Sequence, residues 1–140
     1  MKPAAMDEIC HDVDAVAAFL RARGNPVDLG ENQTAIGARR RGELVAGALF
    51  ERWNGHNIWV HVAYRDPHAT SRTFFRECLV YAFGLCRVQR VSAMVAASNA
   101  ASLRAARKFG FRDEAVLKGA AEDGGDMLVL ALRRQECRYV

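Results

Sequence analysis

The sequence has no apolar stretch near the length of a membrane span and no apolar core at its N-terminus. A membrane-spanning helix needs about 20 consecutive apolar residues, and every apolar run here is much shorter. The N-terminal stretch MKPAAMDEICHDVD becomes acidic within a few residues, unlike a secretion signal. We therefore expect a soluble, cytoplasmic protein that has no membrane partner.

The sequence also lacks closely spaced cysteines, which argues against the usual structural uses of this residue. The four cysteines, Cys10, Cys78, Cys86 and Cys137, form no C-x-x-C pair and no Cys/His cluster at zinc-binding spacing. We expect them to be reduced thiols that pack as small apolar side chains. The sequence therefore predicts neither a disulfide framework nor a bound metal.

Charges of both signs are present, but they form no dense basic stripe. The chain has 140 residues, of which 51% are hydrophobic and 26% charged, and its net charge is +4. This is the composition of an ordinary globular protein, and the length fits one domain over residues 1–140. The positive charge would attract an anionic ligand. The basic residues are scattered and not interleaved with aromatic residues, so nucleic acid is not an expected partner.

Hydrophobic periodicity in the first half predicts one helix and three strands. The stretch DVDAVAAFLRARG places apolar residues at helical spacing, with Asp12 as the N-cap and Gly24 at the end. The stretch TAIGARRRGELVAGALFERW reads as two strands around the basic turn Arg39–Gly42, which predicts a hairpin. Residues 56–64, HNIWVHVAY, alternate with apolar residues on both sides, which is typical of a central strand.

The second half predicts a crossover connection and a final hairpin. The stretch TSRTFFRECLVYAFG carries a wide apolar helical stripe that ends at Gly84, and VQRVSAMVAA is typical of the next strand. SNAASLRAARKFG predicts another helix, and residues 111–134 predict a hairpin that turns at Asp123–Asp126. The tail, residues 135–140, has no pattern that we can assign. The order of strand, helix and strand implies a right-handed parallel crossover within a mixed α/β sheet.

The stretches ASNAASLRAARKFGFRDEAVLKGA and DGGDMLVLAL resemble the end of the GNAT acyltransferases, and most closely the RimJ/RimL-type N-acetyltransferases. The motifs are S-N-x-x-S, then K-x-G-F, an acidic turn and a last strand, and the resemblance begins at about Thr34. It implies a mixed, mostly antiparallel sheet with splayed central strands and one parallel crossover. It also implies transfer of an acetyl group from acetyl-CoA to an amine, with the pantetheine arm between the splayed strands.

The loop expected to hold the pyrophosphate of acetyl-CoA departs from the family pattern. Backbone N–H groups at a helix start can bind phosphate oxygens. The family has an Arg/Gln followed by spaced glycines there, whereas this chain reads YRDPHATSRTFF, with Pro67 lacking an N–H. Either the loop still binds acetyl-CoA, or the site has lost it. In the first case the expected contacts come from Arg65, Ala69, Thr70, Ser71 and Arg72.

His61 is the candidate general base, because it lies on the predicted central strand on the same side as Trp59. Glu51, at the end of the preceding strand, is the alternative base. Both residues also have plain structural interpretations, a buried histidine with a backbone partner and a carboxylate at a hairpin edge. Trp53 and Trp59 either line an acceptor groove or pack in the core.

Asn99 and Ser102 lie at the start of the third predicted helix. Asn99 is suited to cap that helix, and Ser102 lies in its first turn with the hydroxyl near the strand gap. Many relatives place a tyrosine seven residues after the asparagine as the acid for the leaving thiolate, and here Ala106 takes that place. The resemblance therefore assigns the acid to Ser102 and puts both residues beside acetyl-CoA. The alternative is that they form only a capping arrangement.

Two functions are compatible with these residues. The first is an acetyl-CoA-dependent N-acetyltransferase that acts by direct attack of an α-amine or small amine, carried by a small molecule or a peptide. An α-amine has a pKa of about 7.7–8.0, against about 10.4 for lysine, so a weak base suffices. The alternative is a non-catalytic GNAT-fold module that binds acyl-CoA or a protein partner, which the altered loop and the missing tyrosine favour. Exposed strand edges are compatible with a homodimer.

Overall fold

The computed structural model describes residues 7–65 and 72–138, which form one seven-stranded sheet with helices on both faces. A π-helical turn, Val80–Leu85, extends the second helix, and a short 3₁₀ turn, Arg134–Glu136, follows the last strand. The strands and α-helices, in chain order, are β1 Glu8–Cys10, α1 Val13–Arg21, β2 Thr34–Arg40, β3 Glu43–Glu51, β4 Asn57–Tyr64, α2 Arg72–Leu79, β5 Arg90–Ala96, α3 Ala100–Lys108, β6 Arg112–Leu117 and β7 Met127–Arg133.

The sheet has the order β1-β2-β3-β4-β5-β7-β6, and β4 with β5 is its parallel pair. All other neighbouring strands pair antiparallel. The β4–α2–β5 connection is therefore the crossover that the sequence predicted. The predicted fold class, a mixed and mostly antiparallel α/β sheet, is confirmed.

The parallel pairing of β4 with β5 is short, and this opens a gap in the sheet. It joins Asn57 with Arg90, Ile58 with Val91 and Trp59 with Ser92, and it ends there. Beyond this point β4 stays paired to β3 on its other edge, while β5 stays paired to β7 as far as Ala96. The second half of β4 and the second half of β5 therefore diverge, as the resemblance implied.

The local signals in the sequence place the starts of α1 and α3 and the first hairpin correctly, whereas the predicted start of α2 at Thr70 and Ser71 lies outside the described residues. Asp12 caps α1 by accepting a hydrogen bond from the Ala15 N–H at 3.1 Å, and Asn99 caps α3 in the same way. The hairpin between β2 and β3 turns at Arg41 and Gly42, whose φ angles of 55° and 82° are both positive. Two positive φ angles give the turn the twist that matches the strands.

Three features differ from the expectations. The strand β1 was not predicted, because three residues are too few to show an alternating pattern. The helix after β4 does not end at Gly84, because it continues as a π-helical turn in which the Cys86 N–H bonds to the Tyr81 carbonyl. The tail, which could not be assigned, begins with the 3₁₀ turn.

The sheet has a different layer on each face. Helices α2 and α3 cover one face, with a core that includes Phe74, Phe83 and Leu132. Helix α1 covers the other face over β2, β3 and β4, where Val16 and Leu20 are completely buried. None of the helices in the described ranges is long and apolar enough to cross a membrane.

The structure predicts very different reactivities for the four free cysteines. Cys78 is 1% exposed, and its burial, with a further contribution from the charge of Glu77, raises the pKa of its thiol well above the ordinary value. Cys86 is only partly buried. In the native protein at pH 8 we expect iodoacetamide to alkylate Cys78 at least about 10³-fold more slowly than Cys86, because Cys78 must wait for unfolding.

Peptide mapping by mass spectrometry over time measures both rates in one sample. Labelling in urea is the control, since both thiols should then react at similar rates. Equal native rates for Cys78 and Cys86 would contradict the burial of Cys78 between α2 and the sheet.

Candidate active site

A cavity of about 460 Å³ lies where β4 and β5 diverge, on the side of the sheet that carries α1. Its walls come from the loop after α1, the middle of β4, the end of β5, the start of α3 and the loop between β6 and β7. The lining residues are Arg23, Gly24, Asn25, Pro26, His61, Met94, Val95, Ala96, Ser98, Asn99, Ala121, Glu122, Asp123 and Met127.

The two predicted bases are hydrogen-bonded to each other. His61 Nε2 lies 2.6 Å from Glu51 Oε2, and the two side chains are 24% and 19% exposed. In the β3–β4 register His61 lies opposite Leu49 and Trp59 lies opposite Glu51, so the side chains of His61 and Glu51 are diagonal neighbours on one face. Gln33 donates from Nε2 to the other Glu51 oxygen at 3.3 Å. Glu51 is therefore held from two sides.

This pairing determines which histidine nitrogen can take a proton. A carboxylate only accepts hydrogen bonds, so a neutral His61 donates from Nε2 to Glu51 and carries its lone pair on Nδ1. Among residues 7–65 and 72–138, no hydrogen bond reaches Nδ1. The ring lines the cavity, and the carboxylate behind it can stabilise the cation that forms when Nδ1 accepts a proton. The sequence treated the two residues as alternatives, whereas the structure brings them together.

Asn99 fixes the start of α3 and also holds the loop that follows α1. Its Oδ1 accepts from the Ser102 N–H at 3.2 Å, which confirms the predicted capping role. Its Nδ2 donates to the carbonyls of Arg23 and Gly24 at 3.4 Å and 3.3 Å. The side chain therefore uses both of its ends within the protein, and its predicted contact with acetyl-CoA stays a prediction.

Ser102 lies beneath the same loop. The residue is 2% exposed, and its Oγ accepts a hydrogen bond from Asn25 Nδ2 at 2.8 Å. Asn25 is itself 6% exposed, so this is a buried polar pair between the loop after α1 and the first turn of α3. The described residues that line the cavity do not include Ser102. Its predicted role as the thiolate acid is not tested by this geometry, but the hydroxyl has a clear structural partner.

Two arginines approach each other at the end of β4. Arg23 Nε donates to the Tyr64 carbonyl at 3.2 Å, and its guanidinium lies 3.8 Å over the Phe19 ring. Burial and the nearby charge of Arg65 lower the pKa of Arg23. Arg65 also lies 3.6 Å from Glu43 at the surface. This end of β4 therefore carries two neighbouring guanidinium groups, one of them beside Glu43. Arg23 was missed because nothing in its sequence context points to the site.

The predicted phosphate loop falls largely outside the described residues. Ala69, Thr70 and Ser71 are not among them, nor are Asp66 and Pro67. Arg72 is the first residue of α2, and it is exposed. The contacts that these residues would make with acetyl-CoA therefore stay predictions.

A second cavity, of about 590 Å³, has Glu51 but not His61 in its described lining. It is lined by Glu31, Asn32, Glu51, Arg52 and Trp53. The Trp53 side chain donates from Nε1 to the Cys86 carbonyl at 3.0 Å, and the residue is 59% exposed, so Trp53 is not a core residue. Trp59 lies on β4 and is partly buried. Neither tryptophan lines the cavity that contains His61 within the described ranges.

Carboxylates stand at the rim of the His61 cavity. The Ser98 hydroxyl donates to Asp123 at 2.7 Å, and the Gly125 N–H donates to the same carboxylate at 2.8 Å. These two hydrogen bonds lower the pKa of Asp123, so its carboxylate stays charged at neutral pH. Glu122 lies beside it in the same loop and is exposed. In the part of the chain that the structure describes, no group of three His, Cys, Asp or Glu side chains could hold a metal ion.

Comparison with solved structures identifies the fold. A variant of the spermidine N-acetyltransferase SpeG from Vibrio cholerae has a TM-score of 0.69 and 12% identity, covering 93% of this chain and 95% of its own. A chimera of that enzyme with hSSAT has a TM-score of 0.71 and 11% identity, covering 93% and 97%. A probable acetyltransferase has a TM-score of 0.64 and 18% identity, covering 76% of this chain and 63% of its own.

These similarities show that the chain has the GNAT acetyltransferase fold, as predicted. The assignment to the RimJ/RimL branch stays a prediction. No model of a protein family matches the sequence, and no curated protein matches it. The fold is therefore established here by three-dimensional similarity.

The buried pair between Asn25 and Ser102 predicts a large cost for removing one hydroxyl. In Ser102→Ala the Asn25 amide loses its buried acceptor, and we expect the free energy of unfolding to fall by about 1–3 kcal/mol. Urea denaturation followed by circular dichroism measures the change. Ser98→Ala is the matched control, because its hydroxyl is exposed and water can replace its hydrogen bond to Asp123, so its loss should cost much less. Equal costs in the two variants would contradict a buried hydrogen bond between Asn25 and Ser102.

Proposed function

We propose that this chain is an acetyl-CoA-dependent N-acetyltransferase that acts by direct attack of an α-amine or small amine, carried by a small molecule or a peptide. The observation that carries the proposal is the His61–Glu51 pair, which lines the cavity formed where β4 leaves β5. The side chain of His61, a base that can accept a proton, therefore faces the place where β4 and β5 stop pairing. Acetyl-CoA supplies the activated acetyl thioester when it is bound.

The described residues fit the thioester arm in two respects. After Trp59 the main-chain groups on the β5 side of β4 are released from strand pairing, so they are available to amide groups of a ligand that lies in the gap. At the end of β4, Arg23 and Arg65 provide positive charge near the start of the loop expected to hold the diphosphate. The predicted contacts of Ala69, Thr70, Ser71 and Arg72 would complete that site.

The chemistry expected of the protein is proton transfer from the attacking amine. The amine nitrogen forms a bond to the acetyl carbon while the carbon–sulfur bond breaks, and the amine loses one proton. We assign that proton to His61 Nδ1, with Glu51 stabilising the imidazolium. An α-amine is partly neutral near pH 8 already, so one histidine is an adequate base.

The charge at the rim fits a cationic acceptor. Asp123 stays ionised, and Glu122 lies beside it, so the mouth of the cavity is negative although the whole chain has a net charge of +4. An ammonium group is attracted to such a mouth before it loses its proton. The leaving thiolate also requires a proton, and Ser102 stays the predicted donor.

The second candidate is a non-catalytic module that binds acyl-CoA or a protein partner. It is favoured by the burial of Ser102 under Asn25 and by Ala106, which is completely buried where many relatives have the tyrosine acid. In this alternative the cavity holds a ligand without turnover.

Binding and turnover experiments separate the candidates. We expect acetyl-CoA and CoA to bind in titration calorimetry, and saturation at about 100 times Kd should stabilise the fold by about 2.7 kcal/mol. A weaker titration with dephospho-CoA would report a contact with the adenosine phosphate. Thiol release with an amine, followed with a chromogenic disulfide, supports the enzyme. Binding without thiol release supports a module that binds acyl-CoA. The absence of any binding contradicts both the enzyme and the acyl-CoA-binding module, and leaves only a module that binds a protein partner.

Replacement of the base gives a sharper test. In His61→Gln we expect kcat to fall by about 10²–10⁴-fold while Kd for acetyl-CoA changes less than about twofold, because only proton transfer is lost. His56→Gln is the control, since His56 is exposed at the start of β4 and should keep full activity. A kcat for His61→Gln within about threefold of the parent would exclude His61 as the base. In the same assay Ser102→Ala should lower kcat if Ser102 is the acid, and an unchanged kcat would show that assignment to be wrong.

A further inference from the structure

Among the described residues, no helix covers the second half of the sheet on the face that α1 occupies in the first half. Helix α1 packs on β2, β3 and β4. Because Trp59 pairs with Ser92, the alternate residues Met94 and Ala96 on β5 point to the same face as His61. On β7 and β6, the residues that point to this same face are predominantly apolar. This side of β5, β7 and β6 is therefore a partly exposed apolar sheet surface.

The register defines two rows of side chains across the three strands. Ala96 lies opposite Met127, which lies opposite Leu117, and Met94 lies opposite Val129, which lies opposite Ala115. We call these six residues the apolar strip. Met94 is 41% exposed and Leu117 is 42% exposed, which is high for large apolar side chains. Strands lie about 4.8 Å apart, so the strip extends about 10 Å from β5 to the sheet edge.

The strip is continuous with the cavity that contains His61. Met94, Ala96 and Met127 belong to the strip and also line that cavity. A ligand whose reacting atom lies beside His61 therefore has the inner end of the strip within the same cavity. Polar groups bound the strip at both ends, the Arg90–Glu114 ion pair at 2.9 Å and the loop that carries Glu122 and Asp123.

We propose that the apolar strip binds an apolar substituent of the acceptor, so that the preferred acceptors are α-amines with an alkyl or aromatic side chain. This inference rests on the proposed function. A flexible apolar side chain gains free energy by covering Met94, Val129 and Leu117. A second ammonium group placed over Met94, Val129 and Leu117 would lose hydration without gaining a partner among these apolar side chains, so the strip discriminates against diamines and polyamines. The acceptor class therefore differs from spermidine, the acceptor in the name of the Vibrio cholerae enzyme of similar fold.

The test uses amino-acid amides, in which the α-amine stays constant while the side chain changes. The probes are alaninamide, norvalinamide, norleucinamide and lysinamide. We expect KM to fall by up to about fourfold for each added methylene while kcat stays nearly constant, because the strip contributes uniform binding. Norleucinamide and lysinamide have side chains of similar length and differ by the ammonium group. We expect kcat/KM for norleucinamide to be at least about tenfold higher.

A matched pair of variants locates the effect on the strip. Leu117 and Val116 are neighbours on β6, with exposures of 42% and 51%, but they point to opposite faces. Leu117→Asp should remove the norleucinamide preference and improve lysinamide, whereas Val116→Asp should leave both unchanged. Glycinamide has no side chain to contact the strip, and its kcat should be unchanged in Val116→Asp. Leu117→Ser gives the same direction with a smaller change if Leu117→Asp fails to fold.

Each outcome distinguishes this inference from the proposed function. Turnover of norleucinamide and lysinamide with equal kcat/KM would overturn the strip as an acceptor site while leaving the enzyme intact. No thiol release with any amide would overturn the proposed function, and this inference with it. Light scattering is measured on the same proteins. A dimer that Leu117→Asp dissociates and Val116→Asp preserves would assign the strip to a second copy of the chain and overturn its role in acceptor binding.

Discussion

The divergence of β4 from β5 after Trp59 is the constraint on which the candidate site depends. A sheet that stayed paired along both strands would use the main-chain groups of β4 for its own hydrogen bonds and leave no gap. Because the pairing stops, one edge of β4 becomes available to a ligand, and His61 lies beside an open cavity rather than under a neighbouring strand. The fold creates this gap by holding β4 to β3 and β5 to β7 through long antiparallel ladders.

The loop after α1 closes one side of the gap, and it is held by polar contacts with α3. Asn99 binds the carbonyls of Arg23 and Gly24, and Asn25 binds Ser102 beneath them. These contacts explain why hydroxyl and amide side chains occur at the start of α3, independently of any ligand. A buried amide without its partner would cost free energy, so the loop has one preferred position. Asn99 and Ser102, which the resemblance placed beside acetyl-CoA, therefore also fix the loop that forms one wall of the cavity.

Charge is distributed unevenly around the site, and the net charge of +4 for the whole chain does not report this distribution. Arg23 and Arg65 concentrate positive charge at the end of β4, where the diphosphate is expected. Glu122 and Asp123 concentrate negative charge at the mouth, where the amine is expected. The apolar strip begins between these regions, at Met94 and Met127. An anionic donor and a cationic acceptor would therefore approach from regions of opposite charge.

Most of the fold was predictable, because its signals are local. Asp12 and Asn99 begin helices through hydrogen bonds to residues three positions away, and the turn at Arg41 and Gly42 is set by two neighbouring backbone angles. The strand β1 and the π-helical turn were not predictable in this way. A three-residue strand is stabilised by its partner β2, and the π-helical turn shows no break in the apolar pattern.

The candidate site was predictable only as a set of separate residues. The sequence by itself determined that a histidine and a glutamate lie on neighbouring strands and that polar residues begin α3. Only the tertiary structure decided that His61 binds Glu51, that Ser102 binds Asn25, and that Arg23 reaches the end of β4. Local patterns report the conformation of a few consecutive residues. Contacts between distant residues depend instead on strand register and loop path, which the packing of the whole sheet determines.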